Sequence, residues 1–431
     1  MGRGGALLVA ALAIGSQRSP SEEALRYFTP EEISRGAAFA RQRRALWLGS
    51  LVWSAAILAV LSHPGVGGRL VRAARRLAGD AAPQAQAEAR DGPVRGGASR
   101  GRGLGSAAIA VALLVGLHLL AQTPFAWARG FLLERAWGLS TQGAAGFLWD
   151  WAKGLALNVA LTGAALWIVV AVRSALPGSW PLAAWGATAA LLVAYVFLAP
   201  VLVDPLFNRF TPVTEPELRE RALSVASRAG VNASDVLWVD ASRRTRRTNA
   251  YFTGLGATKR IVLYDNLKAA AAPDGRIPSE LLDELEVILA HEAAHWARAH
   301  VWKGTALAVA AFGLFFAILW LVLDRSGAWA VPAALPEGAR VAPVALLVAS
   351  VLSFLLMPAA NAVSRSWERS CDADSLALTG KREAYVRAEV ELARRNISEI
   401  EPSRLAVFWL YSHPPVLERI RLAEEISAPA R

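Results

Sequence analysis

Residues 304 to 323 read GTALAVAAFGLFFAILWLVL, a run without Asp, Glu, Lys or Arg. About 20 apolar residues carry a helix across the hydrocarbon core of a bilayer, and charged side chains avoid that core, so the run reads as a transmembrane span. Five more charge-free runs extend from Ala45 to Gly68, Gly103 to Ala128, Gly154 to Val172, Ser174 to Val203 and Val341 to Ser364. Together the six predict a mainly α, polytopic transmembrane helical bundle. A shorter run, Gly4 to Gln17, follows Arg3 and reads as a short additional span rather than a cleaved signal, since no small-x-small site precedes Ser16.

Composition agrees with that class. The chain of 431 residues is 54% hydrophobic and 19% charged, with a mean hydropathy of +0.33, outside the range of ordinary soluble domains. Sixteen Trp and 14 Phe exclude a disordered chain. The single Cys, Cys371, allows no internal disulfide. The net charge of +11 comes almost wholly from Arg, and beside so many spans it points to membrane lipid as a partner, not nucleic acid. The tract Ser242-Arg-Arg-Thr-Arg-Arg-Thr248 lacks interleaved aromatics, so it reads as a loop at lipid headgroups or against substrate.

The polar segments divide the chain into four parts. Residues 1–203 hold the N-terminal transmembrane helices, with an Arg-rich flexible loop at 63–103. Residues 204–303 form a polar insertion, 304–364 two further transmembrane helices, and 365–431 a helical tail with helices at 365–378, 381–395 and 402–426. Within the insertion, Glu215 to Ala229 reads as a helix, Val236 to Val239 as a strand, Asn249 to Thr253 and Arg260 to Tyr264 as a hairpin, and Pro278 to Trp302 as a third helix.

That third helix carries His291-Glu-Ala-Ala-His295. Two His at i and i+4 lie on one helix face and can reach a single Zn²⁺, with Glu292 beside them to act on a water. Chance gives on the order of 0.004 such matches in a chain of this composition. A catalytic zinc needs a third protein ligand. The spans at 304–323 and 341–364 are joined by a short connection, so they run antiparallel, and the start of one shares a membrane face with the end of the other. Glu368, just past the second span, is therefore the expected third ligand. Asp372, one turn on, is placed to accept the other ring N–H of a ligand His. The insertion then reads as a zinc-metalloprotease domain bearing a small β-hairpin or sheet, with one Zn²⁺ per chain.

Four blocks together resemble one family. They are Asn249-Ala-Tyr-Phe-Thr-Gly with Lys259-Arg-Ile-Val-Leu-Tyr-Asp-Asn-Leu; His291-Glu-Ala-Ala-His-Trp with His300; Asn361-x-x-Ser-Arg-x-x-Glu-x-x-x-Asp372; and Ser412-His-Pro-Pro-x-x-x-Arg419. In this order they are similar to the integral-membrane CaaX prenyl protease type of zinc metallopeptidase, over residues 20 to 425. The resemblance implies that His291, His295 and Glu368 bind zinc, that Glu292 is the general base and that Asp372 supports a ligand. It implies too that the strand Asn249, Ala250, Tyr251, Phe252 holds the substrate backbone, and that His413 and Arg419 stabilise the oxyanion. Ala294 and Ala299 stand where that family often has Gly. Read without the family, His413 is a turn residue before Pro414-Pro415.

The expected activity is hydrolysis of peptide bonds in a peptide or protein substrate, prenylated CaaX peptides and membrane-protein quality control both fitting; the oligomeric state is left open. The alternative is a transporter or membrane scaffold with a structural or vacant metal site. His300, five residues after His295, is expected to turn away from the 291/295 face. The substrate strand is expected to offer an exposed edge, with Tyr251 as the probe position if its N–H points outward. Arg and Lys beside the spans favour a zinc face in the cytoplasm, and the excess of Arg over Lys with abundant Ala and Gly points to a GC-rich, bacterial genome and so to an inner-membrane protein.

Overall fold

The computed structural model describes residues 19–77, 96–254, 259–270, 277–325 and 337–426, so the run Gly4 to Gln17 lies outside the described residues. Among these, six helices are long and apolar enough to cross a membrane: Pro30–Ser62, Leu104–Ala121, Ala144–Ala175, Trp180–Phe207, His300–Arg325 and Val341–Thr379. They correspond to the six charge-free runs, with ends shifted wherever a cap carries the helix past the apolar stretch.

The first case is α1 (Pro30–Ser62), which starts well before Ala45. Thr29 caps it, Glu32 bonds back to complete a capping box, and Pro30 sits where its missing N–H costs nothing. The chain breaks at His63, and α2 (Pro64–Leu77) follows. This corrects the reading of 63–103 as a flexible loop. Leu70 and Ala74, one turn apart, pack inward while Arg69, Arg72 and Arg76 stay exposed, and that helical periodicity outweighs the Gly-rich composition. Residues 96–103 are also helical, opening α3 (Gly96–Ala121), and 78–95 lie outside the described residues. After α4 (Ala144–Ala175) and α5 (Trp180–Leu198) the chain enters the polar insertion.

The insertion folds β1 (Phe210–Pro212), α6 (Pro216–Arg228), β2 (Asp235–Val239), β3 (Ala250–Thr253) and β4 (Arg260–Tyr264) into a four-stranded sheet of order β1-β2-β4-β3. β2 and β4 run parallel, while β1 with β2 and β3 with β4 run antiparallel. Three residues ending in Pro are too short a pattern to announce β1 in the sequence. The next helix, α7 (Ser279–Ala297), lays Leu282, Leu285 and Leu289 on a core with Val236, Trp238, Ile261 and Leu263. His291 and His295 fall on the opposite side of α7.

The third helix does not run on to Trp302. α7 stops at Ala297, Ala299 adopts a left-handed φ of 56°, and α8 (His300–Trp320) starts in a new direction. A left-handed residue with a Cβ costs about 1–2 kcal/mol, of which glycine's greater chain entropy returns part. Ala299→Gly should therefore stabilise the fold by about 0.5–1 kcal/mol, visible as a higher denaturant midpoint in detergent; a lower midpoint would contradict it.

After α8, α9 (Glu337–Thr379) runs 43 residues without interruption, through Pro343 and Pro358. The separate helix expected at 365–378 is thus the end of this same element: charge starts at Arg365, but no residue there stops a helix. α10 (Arg382–Arg395) follows as expected. The stretch 402–426 is two helices, α11 (Arg404–Leu410) and α12 (Val416–Ile426), because Pro414 and Pro415 supply no N–H to continue one. With six spans, residues 18–44, 129–153, 204–303 and 365–431 fall on one face of the membrane, and these segments do meet. Arg44 pairs with Glu399 in a buried contact of 2.5 Å, Arg247 with Glu134 at 2.8 Å, and Ser140 bridges Thr245. Arg243 and Arg244 of the basic tract both donate to the Phe207 carbonyl, so the tract ties the insertion to the end of the fourth span.

Candidate metal centre

Antiparallel docking of α9 on α7 builds the site, and the Ser375 hydroxyl pins the two helices by donating to the Val287 carbonyl at 2.6 Å. His291 Nε2 and His295 Nε2 lie 3.2 Å apart. Glu368 of α9 puts Oε2 3.2 Å from His291 Nε2 and Oε1 3.4 Å from His295 Nε2. One donor atom from each of the three residues therefore falls within a sphere 4.8 Å across. All three were expected from the sequence, and the fold brings them together.

The donor set fits a cation. Two ligands each about 2.0–2.1 Å from zinc at a tetrahedral angle stand about 3.3 Å apart, close to the separations seen. Two facing ring nitrogens can share at most one proton between them. Glu368 Oε2 is buried and makes no hydrogen bond of good geometry among the described residues, although the imidazoles surround it. Burial opposes charge on His291, but the Asp372 and Glu368 carboxylates beside it outweigh burial and raise its pKa; burial and the charge on His291 lower that of His295.

Behind His291 lies a buried ion cluster. Asp372, fully buried, accepts from His291 Nδ1 at 2.8 Å. Arg419 of α12 donates Nε to Asp372 at 2.9 Å, donates a second N–H to the same carboxylate, and reaches Glu389 of α10 at 2.8 Å. Asp372 is where the sequence put it. Arg419 bonds carboxylates through all three of its side-chain nitrogens, holding Asp372 and reaching Glu389, and it also borders the cavity that Glu292 and His413 line. Glu389, which reads in the sequence as one more charge on an amphipathic helix, is the buried partner that was missed.

The Nε2 side opens into a cavity of about 690 Å³ lined by Glu292, His413, Tyr385, Asn249 and Ala250 among others. Burial raises the pKa of the Glu292 carboxyl, which forms no ion pair or hydrogen bond among the described residues. His413, at the turn between α11 and α12, has Nε2 3.4 Å from Glu368 Oε2 and a largely exposed side chain, so it can reach a molecule in the cavity.

β3 is one of the two edge strands of the sheet, and Ala250 at its start borders the same cavity together with Asn249 before it. Its register corrects the choice of Tyr251. The Tyr264 N–H donates to the Asn249 carbonyl at 3.0 Å, which makes 249 with 264, and hence 251 with 262, the hydrogen-bonded pairs of the ladder. The Tyr251 N–H therefore points at β4, while Ala250 and Phe252 direct theirs outward. Of these, Ala250 donates to its neighbour's Asn249 Oδ1 at 2.9 Å.

A multi-pass helical bundle that gathers two His, one carboxylate as the third donor and a lone Glu beside an open sheet edge defines a membrane metallopeptidase. Residues 212–427 match the profile of Peptidase family M48, and residues 12–209 that of the CAAX prenyl protease N-terminal region, five membrane helices. An uncharacterised metalloprotease of Bacillus subtilis, YhfN, is 33% identical over 72% of this chain and 71% of its own length. CAAX prenyl protease 1 of Saccharomyces cerevisiae is 28% identical over 73% and 71%. The crystal structure of S. mikatae Ste24p superposes with a TM-score of 0.76 at 21% identity, covering 97% of this chain and 98% of that one, a likeness of fold. The chain belongs to peptidase family M48, as a membrane metallopeptidase of the CAAX prenyl protease type.

Proposed function

We propose that the metal is zinc, one per chain, held by His291, His295 and Glu368, and that the protein is an endopeptidase cutting extended segments drawn into the cavity. The convergence of those three donors with an unpaired Glu292 at the cavity wall carries this reading. It also sets the transporter and scaffold alternative aside, because a closed structural site would need a fourth strong ligand in place of an open face. Zinc, when bound, supplies a Lewis acid and a water acidified to a pKa of about 7. Glu292 takes the proton of the attacking water and delivers it to the leaving amine. His413 donates to the carbonyl oxygen as negative charge builds on it. Asp372 holds the Nδ1 proton of His291, and Arg419 holds Asp372.

The substrate backbone pairs with the outward edge of β3, from Asn249 to Phe252. Such an edge grips what every peptide shares and so admits many sequences. N-methylating successive amides of a peptide substrate tests this without altering the enzyme. KM should rise roughly 3–10-fold at every second position, one backbone hydrogen bond each, and a flat or aperiodic profile would exclude strand addition.

Metal analysis of the purified protein should give one zinc in the wild type and less than a tenth in Glu368→Ala; retention without Glu368 removes it from the ligand set. The relatives' name points to prenylated CAAX peptides, and comparing a farnesylated peptide with its unmodified counterpart separates that substrate from general quality control. We place the site on the cytoplasmic face of a bacterial inner membrane, supported by Lys303 and Arg365 beside spans. Cysteines near 220 should then resist impermeant labels added from outside.

A further inference from the structure

One buried imidazole near the centre has no task in this scheme. On an unbroken helix, five residues past His295 would rotate His300 about 140° off its face. The left-handed turn at Ala299 instead folds His300 back, so that its Nδ1 lies 3.0 Å from His295 Nδ1. The ring is buried at 6% exposure and stacks flat on Trp367, with centroids 4.6 Å apart and planes 6° from parallel. Cys371 Sγ stands 3.7 Å from the same nitrogen. Trp367 directly precedes Glu368, so the element that brings the carboxylate also clamps this ring.

We propose that His300 is a positioning residue for the metal centre: its Nδ1 accepts the Nδ1–H of His295 and so leaves His295 Nε2 bare toward His291 and Glu368. This rests on the zinc reading. A neutral imidazole carries one N–H, and a ring that ligates through Nε2 must carry it on Nδ1. That buried proton needs an acceptor, and among the described residues His300 Nδ1 is the ring nitrogen at hydrogen-bond distance. His300 then keeps its own proton on Nε2. The two ligand rings are held by different means, His291 by the charged Asp372 and His295 by a neutral imidazole. The competing account is a second metal between His295, His300 and Cys371, whose donor atoms also cluster. It would need His295 stripped of both ring protons to bridge two ions, and the 3.0 Å nitrogen separation is that of a hydrogen bond.

The test compares wild type, His300→Phe and His300→Asn in detergent. Phe keeps the stack on Trp367 without an acceptor; Asn restores a polar group near Nδ1. Zinc affinity, by competition with a chelating dye, should fall about 10–100-fold in the Phe variant, with an altered visible spectrum of the cobalt-loaded protein. The Asn variant should recover to within about threefold of wild type. Zinc held by Phe as tightly as by wild type, or Asn no better than Phe, overturns the proposal. Two zinc equivalents in wild type that drop to one in Cys371→Ser overturn it in favour of the second metal. A wild type that binds no zinc overturns the metal reading itself. Should the Phe variant not fold, proton NMR of cobalt-loaded wild type decides: two strongly shifted, exchangeable ring N–H signals are expected, from His291 and His295, and one alone overturns the proposal.

Discussion

Glu292→Gln should keep its zinc and lose peptide hydrolysis by more than about 10²-fold, the ordinary worth of a general base. Glutamine preserves the shape of the side chain and the cavity wall, and Glu292 is not among the residues whose donor atoms converge, so metal binding has no reason to change. What disappears is the ability to take a proton. Burial raises the Glu292 pKa, which brings a carboxylate nearer the working pH, where a base is most effective. Metal analysis and a quenched-fluorescence peptide, measured on the same preparation, check both halves. Wild-type turnover by the variant, or loss of zinc together with activity, would remove Glu292 from this role.

Arg419→Met should cost about 3–5 kcal/mol of stability, the penalty for breaking a buried ion cluster on one side. The guanidinium separates Asp372, which is fully buried, from Glu389, whose side chain is 9% exposed. Without it two carboxylates face each other in the interior, and Asp372 no longer presents a fixed acceptor to His291. Denaturant unfolding in detergent should show the loss, and zinc affinity should fall with it. An oxyanion donor would behave otherwise: kcat would drop while the unfolding midpoint stayed where it was, and that pattern would assign Arg419 the oxyanion role that the resemblance implies. Combining Arg419→Met with Glu389→Gln should recover part of the stability, since the unpaired charge is then removed.

The parts legible in the sequence were those fixed by one-dimensional rules. Charge exclusion marks the spans at 304–323 and 341–364 whatever surrounds them, and helical spacing puts His291 and His295 on one face. The antiparallel return then limits the third ligand to residues just after Ser364, which is why Glu368 and Asp372 could be named. Other features depend on backbone states that no residue type announces. Ala299 is an ordinary helix former, yet it sits in the left-handed region, and the reversal of His300 follows from that alone. Arg419 and Glu389 lie 30 positions apart in the chain and meet only once α10 and α12 have packed against each other. The edge position of β3 followed from the hairpin, but which of its amides faced outward required the register with β4.

The length of α9 has a mechanical corollary. Glu368 is 27 residues beyond Val341, about 40 Å along a single rod at 1.5 Å per residue, and His291 and His295 hang from α7, which is pinned to that rod by Ser375 and bends into the next span at Ala299. A bilayer that is thinner or thicker than the rod's apolar length is met by tilt. Tilt about the membrane midplane swings the far end of the rod sideways, and α7 travels with it, so the load falls on the bend at Ala299 and on the His295–His300 contact across that bend. Acyl-chain length then acts on the contact behind His295, and reconstitution in lipids of graded thickness becomes a way to tune how firmly the metal is gripped.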